Sequence, residues 1–168
     1  MDKKGEIDNL TKIIKPDLGI ITNISYAHSK NFKNIKFIAD AKAEIINNIK
    51  KNGTIILNMD DDFYHYHKSL EYKKKLKVIS FGINKKDSMV KLVKIKKIKK
   101  NYVLSIKVNG LLSYFHSHTD NKSHIYNVLA ALASINFFIN IKKLKKDVFL
   151  NIKTPIGRDD ISRVTVKK

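Results

Sequence analysis

The first third of the chain alternates between a helical and a strand-like pattern of apolar side chains. Residues 6–15 place apolar side chains at Ile7, Leu10, Ile13 and Ile14, a spacing that predicts an amphipathic helix. Pro16 should end this helix, because the residue before a proline avoids the helical region. Residues 18–22 are apolar without alternation, which is typical of a parallel strand buried on both faces.

The alternation continues as far as residue 81. Residues 35–50 predict a helix with a buried stripe, which Asn34 would cap and Asn52-Gly53 would end. Residues 54–57 predict a second strand, residues 63–75 a helix and residues 76–81 a third strand. Strands that alternate with helices indicate an α/β domain built on a parallel sheet.

A different pattern begins at Met89. Residues 89–116 are rich in β-branched side chains and partly alternating, and Asn109-Gly110 within them is a strong hairpin signal. We interpret this stretch as an antiparallel meander of about three strands. Helices are predicted over residues 123–136 and 143–151, and a last strand over residues 161–166. The predicted fold class is α/β: a mostly parallel sheet flanked by helices, with an antiparallel β meander.

Composition is that of an ordinary globular domain. The 168 residues are 43% hydrophobic and 29% charged, and no apolar run approaches the ~20 residues that a membrane span needs. The chain has no cysteine, and its first residues, MDKKGEID, do not form an apolar signal segment. We therefore expect a cytoplasmic protein without a membrane span.

The net charge of +19 raises the alternative of a non-catalytic basic domain that binds nucleic acid. The lysines, however, are dispersed along the chain and not gathered into a tail or onto one helix face. Arginine, the residue most used to contact base edges, occurs only at Arg158 and Arg163. A general lysine bias explains the charge better, so nucleic acid is not the expected partner.

One stretch carries the candidate chemistry. Residues 15–44 comprise the first predicted strand, a polar loop with Asn23 and His28, and a helix with Lys42 in an alanine-rich turn. In α/β proteins, ligands bind at the carboxyl ends of strands, which is where this loop lies. The imidazole of His28 and the amine of Lys42 are therefore expected to face one another.

The same stretch resembles the central domain of the Mur ligase family. The resemblance rests on Thr22-Asn23-Ile24, on Ala27-His28 and on Ala41-Lys42-Ala43-Glu44, with 14 residues from His28 to Lys42. Within the family, Gly5-Glu6-Ile7 and the alanine before His28 are most similar to the branch that adds D-alanyl-D-alanine to a UDP-muramoyl tripeptide.

This resemblance implies an ATP-dependent ligase of peptidoglycan precursor synthesis that forms an amide bond through an acyl phosphate. Its substrates would be UDP-N-acetylmuramoyl-tripeptide and D-alanyl-D-alanine, and it would use ATP and Mg²⁺. Another branch of the family, such as a folylpolyglutamate-like ligase, stays open as an alternative. So does the basic nucleic-acid-binding domain.

The resemblance also assigns roles to five residues. His28 and a carbamylated Lys42 would be catalytic and would hold a magnesium ion, because CO₂ turns a neutral lysine amine into an oxygen ligand. Asn23 would lie near the phosphates or the UDP substrate. Asn127 would contact adenine, and Arg158 would reach the nucleotide.

A phosphate-cradling loop of the type G-x-x-G-K-[ST] does not occur in the sequence. By resemblance it would lie upstream of Met1, and a further nucleotide- and amino-acid-binding domain would begin after Lys168. We expect residues 1–168 to be part of a central, ATP-binding domain. Its partners would then include the N- and C-terminal portions of the same enzyme, and the isolated chain would be inactive or very weak.

Three polar clusters are expected to be structural. Asp60-Asp61-Asp62 follows a predicted strand and should supply an aspartate N-cap to the next helix. His65 and His67 stand two residues apart, as do His116 and His118. Neither pair has a third ligand at a suitable spacing, so we expect these histidines at the surface.

Overall fold

The structure is a computed structural model that describes residues 3–26, 32 and 34–152. This part of the chain contains four α-helices and six β-strands. The first three helices alternate with the first three strands, and the fourth helix follows the last strand. The elements are α1 (Glu6–Ile14), β1 (Leu18–Ile21), α2 (Ile35–Asn48), β2 (Thr54–Asn58), α3 (Tyr64–Leu70), β3 (Lys77–Gly82), β4 (Val90–Ile98), β5 (Asn101–Val108), β6 (Leu111–Ser117) and α4 (Lys122–Phe138). The predicted last strand at 161–166 lies outside the described residues.

All six strands belong to one sheet, in the order β1-β2-β3-β4-β5-β6. Strands β1 to β4 pair in parallel, and β4 to β6 pair antiparallel. The two halves join through a short ladder between Phe81-Gly82 and Val90-Lys91. The expected fold class is confirmed, and the meander is a continuation of the parallel sheet.

The two faces of the sheet carry separate cores. On one face Ile55 and Leu57 of β2 pack in a cluster with residues of α2 and α3. On the other face Ile56 packs with α4, through residues such as Leu129 and Leu132. Because neighbouring strand residues point to opposite faces, the unbroken apolar run of β2 supplies both cores. Within the described residues, none of the helices is long and apolar enough to cross a bilayer.

A buried carboxylate fastens α1 to α2. Glu44 of α2 accepts hydrogen bonds from the backbone N–H of Gly5 at 2.7 Å and of Asp8 at 3.1 Å. A helix leaves the N–H groups of its first turn without internal partners, so this carboxylate caps α1 from outside. Asn48 of α2 adds donor contacts to the Asp8 carboxylate at 2.8 Å and the Thr11 hydroxyl at 2.9 Å.

The amphipathic pattern of α1 is confirmed, but its apolar residues do not enter either core. Leu10, Ile13 and Ile14 are 61%, 82% and 68% exposed. Among the described strands, β1 pairs only with β2, so its other edge carries no neighbour there. An apolar helix face and a parallel strand edge are thus both open on the β1 side of the domain.

Two predicted helix boundaries were wrong. Helix α2 ends at Asn48, before Asn52-Gly53, because Ile49 becomes extended and buries its side chain against Gly19. The predicted helix over 143–151 is instead a short 3₁₀ turn at Ile141–Lys143 followed by turns. There the backbone of Lys146 accepts a hydrogen bond from the N–H of His116 in β6, which draws the segment to the sheet.

The surface prediction for the histidines was also wrong in one case. His67 is buried, and its Nε2 lies 3.1 Å from the carbonyl oxygen of Ala39 in α2. Helix α3 turns His65 to solvent and His67 inward, since residues two apart on a helix face different ways. His116 is partly exposed beside Asp147, and His118 is exposed.

Candidate functional site

The parallel strands bring together, at their carboxyl ends, the three chain segments that follow β1, β2 and β3. The segment after β1 begins with Thr22 and Asn23, and the segment after β2 begins with Met59. Asn58, the last residue of β2, donates its side-chain amide to the carbonyl oxygen of Thr22 at 3.1 Å. The ends of β1 and β2 are therefore held together by a side chain as well as by the sheet.

Lys42 reaches this edge from α2. Its Nζ donates to the carbonyl oxygen of Asn23 at 2.6 Å, so two predicted site residues are brought into contact. The lysine is partly buried, and it lines a cavity of about 180 Å³ with Ile20, Thr22 and Ile45. Burial lowers the pKa of Lys42, and the charge of Asp61 opposes this in part. A larger fraction of its amine is therefore neutral than in a surface lysine.

Asp61 fixes the loop that follows β1. Its Oδ2 accepts the backbone N–H of Ile24 at 2.6 Å, and its Oδ1 accepts that of Phe63 at 2.9 Å. Ile24 directly follows Asn23, whose carbonyl receives Lys42. The carboxylate of Asp61 thereby holds in place the backbone that positions the lysine.

Asp60 faces the opposite way, toward the loop after β3. Its carboxylate accepts the backbone N–H groups of Ile83, Asn84 and Lys85 at 2.5–3.2 Å, and the hydroxyl of Tyr126 at 3.0 Å. Burial acts to raise the pKa of Asp60, but these donors outweigh it and hold the pKa below its ordinary value. Burial and the neighbouring Asp60 carboxylate raise the pKa of Tyr126.

The remaining predicted site residues are placed unequally. Asn127 is exposed on α4, one residue beyond Tyr126. It lies on a different element from Lys42, and its predicted adenine contact stays a prediction. His28 and Arg158 lie outside the described residues, and their predicted roles stay predictions. Within the described ranges, histidine, aspartate and glutamate side chains do not form a group of three that could hold a metal.

Sequence reasoning missed the two aspartates and Tyr126. The expected aspartate N-cap was wrong, because α3 has Phe63 at its N-cap position without a side-chain hydrogen bond. Asp61 accepts the N–H of Phe63 just before α3, and both carboxylates also bind neighbouring loops. A signal was present, since polar residues directly after a fully buried strand lie at the ligand-binding edge of an α/β sheet. Their partners, up to 66 residues away in sequence, could not be identified from spacing.

Comparison with known proteins gives this geometry a family. The family model of the Mur ligase middle domain matches residues 1–135. The UDP-N-acetylmuramoyl-tripeptide–D-alanyl-D-alanine ligase of Rickettsia prowazekii is 37% identical over 113 residues, covering 66% of this chain and 24% of that protein. The ligase of the same name from Buchnera aphidicola subsp. Baizongia pistaciae is 28% identical over 166 residues, covering 97% and 32%.

A solved structure agrees with the fold. The MurF ligase of Thermotoga maritima, in complex with ADP, superimposes with a TM-score of 0.75 at 21% identity, covering 94% of this chain and 35% of that one. This chain spans about a quarter to a third of the length of the two curated relatives. With most of its residues matched by the middle-domain model, the chain belongs to the Mur ligase family.

Proposed function

We propose that the chain is part of an ATP-dependent ligase that joins D-alanyl-D-alanine to UDP-N-acetylmuramoyl-tripeptide in peptidoglycan precursor synthesis. Two relatives that carry this name support the branch. The observation that carries the proposal is Lys42: a partly buried amine at the carboxyl end of β1, in contact with Asn23. We further propose a cytoplasmic location for the protein.

In this proposal the reaction has two transfers. The γ-phosphoryl group of ATP passes to the carboxylate of the tripeptide, which gives an acyl phosphate and ADP. The amine of D-alanyl-D-alanine then attacks the acyl carbon, the amide forms, and phosphate leaves with the bonding electrons. Asn127 would contact adenine, Arg158 would approach the nucleotide, and Asn23 would lie near the phosphates or the UDP substrate.

The residues at the carboxyl edge fit a magnesium site only after Lys42 is modified. A lysine amine is a poor ligand for Mg²⁺, which prefers oxygen. Addition of CO₂ to the neutral amine gives a carbamate and releases one proton, and the lowered pKa of Lys42 favours the reactive form. The carbamate of Lys42 and the ring of His28 would then hold the ion. Bound Mg²⁺ would neutralise charge on the phosphoryl group during transfer.

We propose that residues 1–168 form part of a central domain that works with further portions of the same enzyme. The exposed apolar face of α1 and the unpaired edge of β1 support this, because exposed apolar patches and free strand edges are where further elements pack or pair. An upstream portion would bring the phosphate-cradling loop that this sequence lacks, and a downstream portion would complete the nucleotide site.

Isotope labelling tests the role of Lys42. The protein is incubated with ¹³C-bicarbonate at mildly alkaline pH, and the carbamate carbonyl is sought by ¹³C NMR. We expect one carbamate signal that the Lys42→Ala variant loses, because Lys42 combines partial burial with a lowered pKa.

Lys36→Ala is the matched control on the same helix. Lys36 is exposed and ion-paired with Asp40, whose hydrogen bond raises the pKa of the lysine and keeps it charged. This variant should retain the signal. The N-terminal α-amine can also form a carbamate at this pH. The proposed role of Lys42 is overturned if Lys42→Ala keeps every carbamate signal of the unmodified sequence, or if the unmodified sequence shows none beyond that of the N-terminus.

A further inference from the structure

Two adjacent aspartates tie together three separate segments of the carboxyl edge. Asp61 holds the loop after β1 through the N–H of Ile24. Asp60 holds the loop after β3 through three consecutive N–H groups, and it holds α4 through Tyr126. The short loop after β2 thus connects the loop that contacts Lys42 to the helix that carries Asn127.

The position of Asp60 depends on a glycine in the neighbouring strand. A Cβ atom at Gly82 would lie 3.2 Å from both Cγ and Oδ1 of Asp60 and 2.7 Å from the Ser88 hydroxyl. Such distances are too short for carbon without a shift of the neighbours, and the neighbours here are fastened by hydrogen bonds. Gly82 therefore leaves the space in which the carboxylate reaches its donors.

We propose that Asp60 is a positioning residue for nucleotide recognition: through Tyr126 it fixes α4, and so Asn127, relative to the edge that carries Lys42. The inference rests on the proposed function, which assigns the adenine contact to Asn127. Asp60 itself does not touch the nucleotide in this arrangement. Asp60 instead determines the position of Asn127, which would contact adenine, relative to the strand ends near Lys42, where the phosphates would bind.

The geometry separates this role from a general contribution to folding. Leu129, Leu132 and Ala133 anchor the middle of α4 in the core, so the helix keeps its packing without Asp60. The turn with Tyr126 and Asn127 lies nearer the N-terminus, where Asp60 provides a charge-assisted hydrogen bond from the sheet. The buried side chains of Ile125 and Val128 also hold this turn in the core, so loss of that bond would shift it only slightly. Small shifts of a binding residue nevertheless cost affinity out of proportion to stability.

The test compares how the chain binds ADP, IDP and inorganic pyrophosphate, each followed by NMR titration of backbone amides. IDP differs from ADP at the purine and pyrophosphate has no base. For Asp60→Asn and for Tyr126→Phe we expect about five- to tenfold weaker ADP binding and a reduced preference for ADP over IDP. Pyrophosphate binding should not change, whereas a loss of general stability would weaken all three ligands alike.

Two control variants make the same chemical changes at residues outside the link between Asp60 and Tyr126. Asp62→Asn changes an exposed aspartate of the same loop, and Tyr114→Phe removes the hydroxyl of an exposed tyrosine in β6. Both should bind ADP as the unmodified chain does. In the double variant Asp60→Asn/Tyr126→Phe the loss should be smaller than the product of the two single losses, because both remove the same link.

The outcomes separate the inference from the function on which it rests. If the chain binds ADP and Tyr126→Phe, which removes only a hydroxyl, binds ADP and IDP as before, the inference is overturned while the proposed function stands. An equal loss for ADP and pyrophosphate overturns it as well. If the unmodified chain shows no ADP-induced shifts in α4, the adenine contact assigned to Asn127 is absent from this part of the enzyme and the inference is overturned. The ligase assignment stands in that case, because it places the phosphate cradle in an upstream portion.

Discussion

The parallel and antiparallel halves of the sheet use their polar side chains in different ways. At the carboxyl ends of β1 to β3, Asn58, Asp60 and Asp61 reach out of their own segment to bind distant backbone. In β4 to β6, polar residues occupy one face, as in the cross-strand row Lys94, Ser105 and Tyr114, and the other face packs on α4.

This difference shows that polar residues have different roles in the two halves of the sheet. In the parallel half, polar residues at strand ends organise a site, and apolar residues fill both faces of the strands. In the meander, residues alternate between the core face and the solvent face apart from a bulge between Leu92 and Lys94, so the polar residues on the solvent face are free to vary. A substitution should therefore be judged by face in the meander and by hydrogen-bond partner in the parallel half.

The largest effect is expected within the meander, between its two faces. Leu104 is fully buried, whereas Leu112 is 51% exposed. Leu104→Ala should lower the free energy of unfolding by about 2–5 kcal/mol, because it removes buried methyl groups and leaves a cavity. Leu112→Ala should stay within ~0.5 kcal/mol. Urea unfolding measures both, and equal losses would mean that the open face is covered in solution.

An intermediate effect is expected from the carboxylate that caps α1. Glu44→Ala leaves two backbone N–H groups without their charged acceptor and should cost about 1–3 kcal/mol. Asn47→Ala changes an exposed residue of the same helix and serves as the control. Urea unfolding gives the total loss, and amide hydrogen exchange should localise it to α1. Unchanged exchange in α1 would show that the cap does not hold the helix.

The smallest expected effect is a dependence of stability on pH that comes from two buried histidines, His67 in α3 and His124 in α4. Burial lowers the pKa of His67, although the charges of Asp61 and Asp40 oppose this. Burial also lowers the pKa of His124, and the charge of His118 lowers it further. Below pH ~6.5 these histidines bind protons in the unfolded chain more readily than in the folded chain. The free energy of unfolding should therefore fall as the pH is lowered from about 6.5 to 5, and it should not change above pH ~6.5.

Variants separate the two histidines. His67→Gln and His124→Gln should each reduce the change in the urea midpoint between pH 7 and pH 5, and the double variant should reduce it further. The comparison is made on the pH dependence, because each substitution also changes the absolute stability of a buried site. A double variant with the full pH dependence of the unmodified chain would rule out both histidines as its source.

Elements with a strong local pattern could be predicted from the sequence. The apolar run of β2, the Asn109-Gly110 hairpin and the Asn34 cap of α2 all occur where the pattern placed them. The ends of α2 and the segment after α4 were not predictable, because tertiary contacts decide them. Ile49 leaves the helix to reach the core, and Lys146 pairs with the end of β6.

The same division applies to the site. Asn23 and Lys42 could each be predicted at one edge, since a strand, a loop and a helix that follow one another return the chain there. Their contact, through the backbone carbonyl of Asn23, was not predicted. The links of Asp60 to Ile83 and Tyr126 depend on how β3 and α4 pack, which local patterns do not encode. His28 and Arg158 remain predictions of the family resemblance alone.

The strictly sequential strand order has a consequence for how the protein is made. Every described strand of the sheet lies beside the strand that precedes it in the chain. The antiparallel pairs of β4 to β6 are joined by short turns and should form quickly, whereas the parallel pairs of β1 to β3 must wait for the helix between their strands. On a ribosome, this sheet could grow strand by strand as the polypeptide emerges, and α4 would close the second core once residue 138 has left the exit tunnel.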